Sequence, residues 1–154
     1  MTDSSIVKVQ KKYIMGIECR TSNMPGAASK DIPQLWGRFY TENIMSQIPK
    51  ISDDVYALYC EYEGDYTAPY TCMIGCMVSS MDNIPAGLVA KVIPASDYAK
   101  YEAKGEFPQS VLNTWVSIWN GSLKRTYVVD FEVYDSRFAT ESNKPVDIYV
   151  GIKG

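Results

Sequence analysis

The chain of 154 residues contains no histidine. That absence removes every Ser-His and Cys-His nucleophile pair and the commonest transition-metal ligand. The four cysteines do not restore a metal site, because the sequence has no Cys-x-x-Cys pair and no acidic run with calcium-loop spacing. Cys72 and Cys76 sit on what reads as one strand, roughly 13 Å apart, too far to bridge. Reduced thiols in the cytosol are the simpler expectation. The 10 glycines are scattered at single positions such as Gly16, Gly64, Gly75 and Gly105, so a Gly-rich phosphate cradle is unsupported. Positive charge is also scarce. The net charge is -3 and the only basic doublets are Lys11-Lys12 and Lys124-Arg125, which argues against a direct nucleic-acid partner. No short three-helix segment reads as a helix-turn-helix. Apolar runs stop well short of the ~18 residues of a membrane span, and Met1-Thr2-Asp3-Ser4-Ser5 has neither the basic start nor the apolar stretch of a secretory signal. The expectation is a cytoplasmic protein with no membrane segment, no metal and no cofactor.

What is present is a repeat. The chain reads as a single domain, residues 1–154, built from two related segments of about 5–80 and 84–153. Ile32, Leu35, Trp36, Phe39 and Tyr40 make a helical stripe, and Val111, Trp115, Ile118 and Trp119 make a second, with the tryptophans 79 residues apart. Asp31 is the expected N-cap of the first helix, and Pro49 its stop after Ile44 and Ile48. A strand over Val55–Glu63 follows, then a turn at Gly64-Asp65 and a return strand over Tyr70–Val78. Ser79–Ala86 reads as a linker. In the second half, Leu88–Ile93 and Tyr98–Ala103 are extended, a shorter helix begins near Pro108 and ends at Gly121, and strands over Tyr127–Tyr134 and Val146–Ile152 flank a loop. Ile6–Arg20 is an extended segment bent around Gln10-Lys11-Lys12. The fold class expected is α+β: duplicated β-α-β-β repeats, related by a pseudo-twofold, forming a curved antiparallel sheet with two helices.

Each half then places one acid in a strand, Glu61 in Leu58-Tyr59-Cys60-Glu61-Tyr62 and Glu132 in Phe131-Glu132-Val133-Tyr134. Alternation points Phe131 and Val133 one way and Asp130, Glu132 and Tyr134 the other. If helices cover the Phe131 face, Glu132 is solvated outside. If the other face forms a cleft, Glu132 lies on the floor of an aromatic pocket, where an ionised carboxylate without a partner costs several kcal/mol and selects cations. The aromatics divide similarly. Trp36, Phe39 and Trp115 belong either to the core or to pocket walls, and the 12 tyrosines, Tyr59, Tyr134 and Tyr149 among them, suit walls that are part dry and part wet. Glu61 is the expected pseudo-symmetric counterpart of Glu132. Lys124, Arg125 and Arg137 are the cations expected to pair with either acid on the surface.

Three stretches together resemble the GyrI-like, AraC-type effector-binding domain family: Leu35-Trp36-Gly37-Arg38-Phe39, Val55 to Glu63, and Asp130-Phe131-Glu132-Val133-Tyr134-Asp135 ahead of Asp147-Ile148-Tyr149-Val150. The resemblance extends to stand-alone cationic drug-binding members carried in integron gene cassettes. It implies two repeats with a ligand cleft at their interface and a buried glutamate, which falls on Glu132. The ligands so implied are cationic aromatic small molecules, and the site expected to hold them is Glu132, Trp36, Tyr59, Trp115, Phe39 and Tyr149, with Glu61 and Tyr134 as secondary candidates and no catalytic residue. Some relatives are hydrolases and others inhibit DNA gyrase, so a pocket glutamate that activates water and a protein-interaction inhibitor are the alternatives. Family members that regulate transcription carry a helix-turn-helix. DNA-dependent regulation by this chain would pass through a DNA-binding partner protein, and a homodimer is the other assembly left open.

Overall fold

The computed structural model describes residues 4–24, 26–65 and 67–153. Its elements are β1 (Ser4–Val9), β2 (Lys12–Thr21), α1 (Ala28–Thr41), α2 (Ile44–Gln47), β3 (Lys50–Cys60), β4 (Tyr70–Val78), β5 (Val89–Ile93), β6 (Ser96–Ala103), α3 (Gln109–Trp119), β7 (Arg125–Tyr134), α4 (Ser136–Thr140) and β8 (Val146–Ile152). The eight strands form one antiparallel sheet in the order β1-β6-β8-β7-β3-β4-β2-β5. No helix among the described residues is long and apolar enough to cross a membrane.

Exchanging β1 with β5, β2 with β6, β3 with β7 and β4 with β8 reverses that order onto itself, which is the signature of a pseudo-twofold between β3 and β7. The first strand of each half is traded. β1 pairs only with β6 of the second half, and β5 only with β2 of the first. The bend at Gln10-Lys11 therefore carries the chain across to the other repeat, and neither half is a complete sheet alone.

Irregularities in the two central strands fix the equivalence. β3 shifts register against β4 between Lys50 and Val55, and β7 shifts against β8 between Arg125 and Asp130. Lys50 and Arg125, like Val55 and Asp130, differ by 75 in residue number. The same offset sets Tyr59 over Tyr134 and Ala57 over Glu132. The pairing of Glu61 with Glu132 expected from sequence, an offset of 71, is thus corrected. β3 ends at Cys60, and Glu61 sits past it in the left-handed region with φ 53.

Both faces of the sheet are buried. On one, α1 seats Leu35 and Phe39 against Met15, Ile17 and Ile74, and α3 seats Val111, Trp115 and Ile118 against Tyr101, Ile148 and Val150. Each such large side chain contributes about 1.5–3 kcal/mol of burial. On the other, Phe131, Val133, Tyr56 and Leu58 pack on Ile14, Ile93 and Tyr98. The sheet curls so strongly that this face is covered by its own outer strands. One device for the curl is the pair Gly16–Gly75, opposite each other in β2 and β4. A Cβ on Gly16 would lie 1.9 Å from the Ile74 carbonyl oxygen, so only two glycines let these backbones meet.

Several local boundaries differ from the sequence reading. α1 starts at Ala28 with Ala27 as N-cap, and Asp31 lies in its first turn. The expected single helix to Pro49 is interrupted at Asn43, whose φ of 53 is a left-handed conformation that asparagine tolerates, and α2 is a separate turn. The loop after β7 contains α4, capped by the Asp135 side chain accepting from the Arg137 N–H at 3.0 Å.

Candidate functional site: an aromatic cavity with a buried carboxylate

A cavity of about 840 Å³ lies between α1, α3 and the central strands. One wall is Ile32, Pro33, Trp36 and Tyr40 of α1 with Met24. The facing wall is Val111, Leu112, Trp115 and Trp119 of α3, and Tyr59, Tyr62, Tyr70, Glu132 and Tyr134 form the floor. Phe107 and Phe138 close one end and Arg125 lies at the lining as well. The stripes that seat each helix on the sheet are wide enough for one edge to face this space, which is why the tryptophans serve core and cavity together. Their contacts repeat across the pseudo-twofold. Trp36 meets the Tyr134 ring edge-on at 5.0 Å, and Trp115 meets Tyr59 edge-on at 5.5 Å. Each tryptophan thus packs on the tyrosine contributed by the opposite repeat.

Glu132 is 1% exposed. Its Oε2 accepts from the Tyr59 hydroxyl at 2.9 Å and the Trp115 indole N–H at 2.7 Å, and its Oε1 accepts from the Tyr134 hydroxyl at 2.7 Å. All three donors are neutral. Among the described residues no lysine or arginine forms an ion pair with it. Burial therefore pushes the Glu132 carboxyl above its ordinary value, and the three hydrogen bonds pull it partly back. Burial also raises the Tyr59 and Tyr134 hydroxyls, with the neighbouring Glu132 charge adding to it, so both remain protonated donors.

Beyond the floor, Arg125 Nη2 donates to Asp130 Oδ2 at 2.7 Å. Asp130 also accepts from the Tyr62 hydroxyl and, through Oδ1, from the Gly151 N–H at 2.8 Å. Residues five apart on a regular strand point to opposite faces. The extra residues of the β7 bulge, with Tyr127 at φ 54, bring these two to one side. Burial works against the Arg125 charge, but the Asp130 carboxylate outweighs it and holds the guanidinium protonated. The surface pairing expected of Arg125 is corrected, since its side chain is 4% exposed. Arg137 instead ties Asp135, Glu102 and Asp147 on the outside.

Of the residues singled out from sequence, Glu132, Trp36, Tyr59, Trp115 and Tyr134 come together in the cavity. Phe39 does not reach it, being part of the core beneath α1. Tyr149 lies on the opposite sheet face, stacked on Phe131 at 4.5 Å. Glu61, 57% exposed at its side chain, accepts from Thr71 at 2.7 Å and pairs with Lys91 at 3.0 Å, and it is no counterpart of Glu132. These bonds hold its carboxyl below the usual range. Tyr62, Tyr70 and Arg125 were missed. Their only sequence signal was the abundance of tyrosine and an Arg-Asp spacing that strand alternation misreads.

YobU of Bacillus subtilis (strain 168) is 31% identical over 156 residues, spanning 97% of this chain and 98% of that protein. The transcriptional regulator BrlR of Pseudomonas aeruginosa is 32% identical over 138 residues, covering 82% of this chain and 48% of BrlR, so the chain spans about half of that regulator. The integron cassette protein VCH_CASS2, from the mobile metagenome of Vibrio cholerae, superposes with a TM-score of 0.78 at 28% identity over 97% of this chain and 95% of its own. SAV2435, solved bound to tetraphenylphosphonium, has the same fold with a TM-score of 0.79 at 19% identity, over 99% and 94% of the two chains. The family model of integron-associated effector binding proteins, Cass2, matches residues 5–152. With nearly its whole length matched, this chain belongs to the Cass2 family of integron-associated effector-binding proteins.

Proposed function

We propose that this protein binds hydrophobic aromatic cations in the cavity between α1 and α3, with Glu132 as the charge that selects them. The observation that carries this reading is the isolation of that carboxylate: it is fully buried, held by three neutral donors and neutralised by no side chain among the described residues. A group so placed either takes up a proton or meets a cation brought from outside. The three donors occupy most of the acceptor capacity of a carboxylate, about four lone-pair sites. A cation without N–H groups, attracted by charge and by the faces of Trp36, Trp115 and the tyrosines, needs no more. The size of the space suits a drug-sized ligand. SAV2435, whose fold this chain shares, binds such a cation, tetraphenylphosphonium. Similarity to BrlR supports the bound molecule acting as an effector in gene regulation, with DNA contacted through a partner protein.

Tetraphenylphosphonium and tetraphenylborate have the same shape and opposite charge, which makes them the decisive pair. Titrated against tryptophan fluorescence, the cation is expected to bind with quenching and the anion not at comparable concentration. Equal dissociation constants would remove Glu132 from the recognition.

A further inference from the structure

The cavity contains a second polar group whose hydrogen bonding is incomplete. Arg125 lines it and is 7% exposed. Nη2 has the Asp130 carboxylate, yet Nε and Nη1 are buried with no hydrogen-bond partner among the described residues. The Tyr127 ring centroid lies 4.3 Å from the guanidinium carbon and the Trp115 centroid 5.8 Å. These rings cover the cation without offering its nitrogens a lone pair. A buried donor left unpaired is destabilising, so the arrangement calls for an acceptor.

The charge balance tells which acceptor. Asp130 already neutralises Arg125, at 2.7 Å. A ligand carboxylate added there would meet Asp130 across the same guanidinium and bring a second negative charge into a cavity that already holds Glu132. An uncharged oxygen completes the hydrogen bonding and adds no charge. Trp115 links the two groups, its N–H on Glu132 and its ring facing Arg125, so the acceptor and the cation of one flat ligand would lie on either side of a single indole.

We propose that Arg125 forms an acceptor-recognising subsite of the cavity, so that the preferred ligands are aromatic cations carrying an uncharged carbonyl oxygen, such as an ester, amide or ketone, at the end remote from the positive charge. This rests on the cation-binding reading above and specifies its ligand class.

Three xanthylium dyes that differ in one ring substituent test it: a methyl ester, a carboxylate and a plain hydrogen. The ester is expected to bind wild-type protein about tenfold tighter than the hydrogen analogue, the ratio for one hydrogen bond to a charged donor, and the carboxylate weakest. Arg125→Lys retains a charge for Asp130 and loses the guanidinium Nε and Nη1 donors, and in it the ester-to-hydrogen ratio is expected to fall below about twofold. Should that variant fold poorly, the double variant Arg125→Gln/Asp130→Asn removes the pair without leaving an unpaired charge, and the same collapse is expected. Equal affinity for ester and hydrogen in the wild type overturns the subsite and leaves cation binding standing. A preference that survives in the variants, or a carboxylate that binds tightest, overturns it as well. If no cationic dye binds, the cation reading itself fails and takes the subsite with it.

Discussion

Ala57 and Glu132 face each other across the β3–β7 pair and are also equivalent under the pseudo-twofold, so a duplicated position holds a methyl group on one side and a carboxylate on the other. Directly opposed side chains have Cβ atoms about 5 Å apart. Two carboxylates there would not both ionise. The alanine leaves a single carboxylate between the Trp36–Tyr134 and Trp115–Tyr59 pairs.

Glu132→Gln keeps the shape of that centre. The amide oxygen at the Oε2 position still accepts from Tyr59 and Trp115, and the amide N–H can donate to Tyr134 once its hydroxyl turns. Tetraphenylphosphonium affinity is expected to fall by roughly 1–3 kcal/mol, with the thermal midpoint of the empty protein undiminished. Calorimetric titration reads the first and a melting curve the second. An unchanged affinity would show that the carboxylate does not contact the cation.

Acid is expected to weaken cation binding. Burial raises the Glu132 carboxyl above its ordinary value of 4.5, so as pH falls through the raised value the proton takes the place of the ligand. The same shift affects the empty protein. Because the folded state holds this proton more tightly than the unfolded chain, the stability it contributes is full below the unfolded value and lost as pH rises through the folded one. As pH rises from 4.5 through that raised value, wild type is expected to lose stability relative to Glu132→Gln, and saturating tetraphenylphosphonium to restore it. Parallel curves for the two proteins would contradict the raised carboxyl.

Tyr134→Phe removes the donor to Oε1 and leaves the ring against Trp36. One fewer hydrogen bond to the carboxylate raises its proton affinity further. The pH midpoint of cation binding should move up by roughly one unit, equivalent to about 1.4 kcal/mol. Affinity measured across pH in both proteins gives the shift, and a midpoint that stays or moves down refutes it.

Gly16→Ala tests the curvature of the sheet. The new methyl would lie 1.9 Å from the Ile74 carbonyl oxygen, a backbone atom. The β2–β4 pair must separate, at an expected cost of about 3 kcal/mol or more. Urea unfolding would register it, whereas Gly37→Ala, with open space around its Cβ, should cost little.

The sequence by itself determined the two long helices, most of the strands and the duplication, because these rest on local signals. The stripes of Leu35-Trp36-Phe39 and Val111-Trp115-Ile118 dictate helices that must bury one side, and the strand over Val146–Ile152 is bounded as read. The absence of histidine narrowed the chemistry in the same direct way. Glu132 was visible as an acid in an apolar strand, but alternation assigns a residue to a face without saying what covers that face. Only the tertiary structure decided that the sheet buries both sides, which encloses the Glu132 carboxylate between Tyr59, Trp115 and Tyr134. It also decided which residues match across the repeat. Glu61 carries the right side chain at the wrong offset, since the paired bulges at Lys50–Val55 and Arg125–Asp130 set the register, and the left-handed turn at Glu61 takes it off the strand. Arg125 joined the cavity for the same reason: a bulge changes which face a residue takes, and it is specified by pairing between strands distant in the chain.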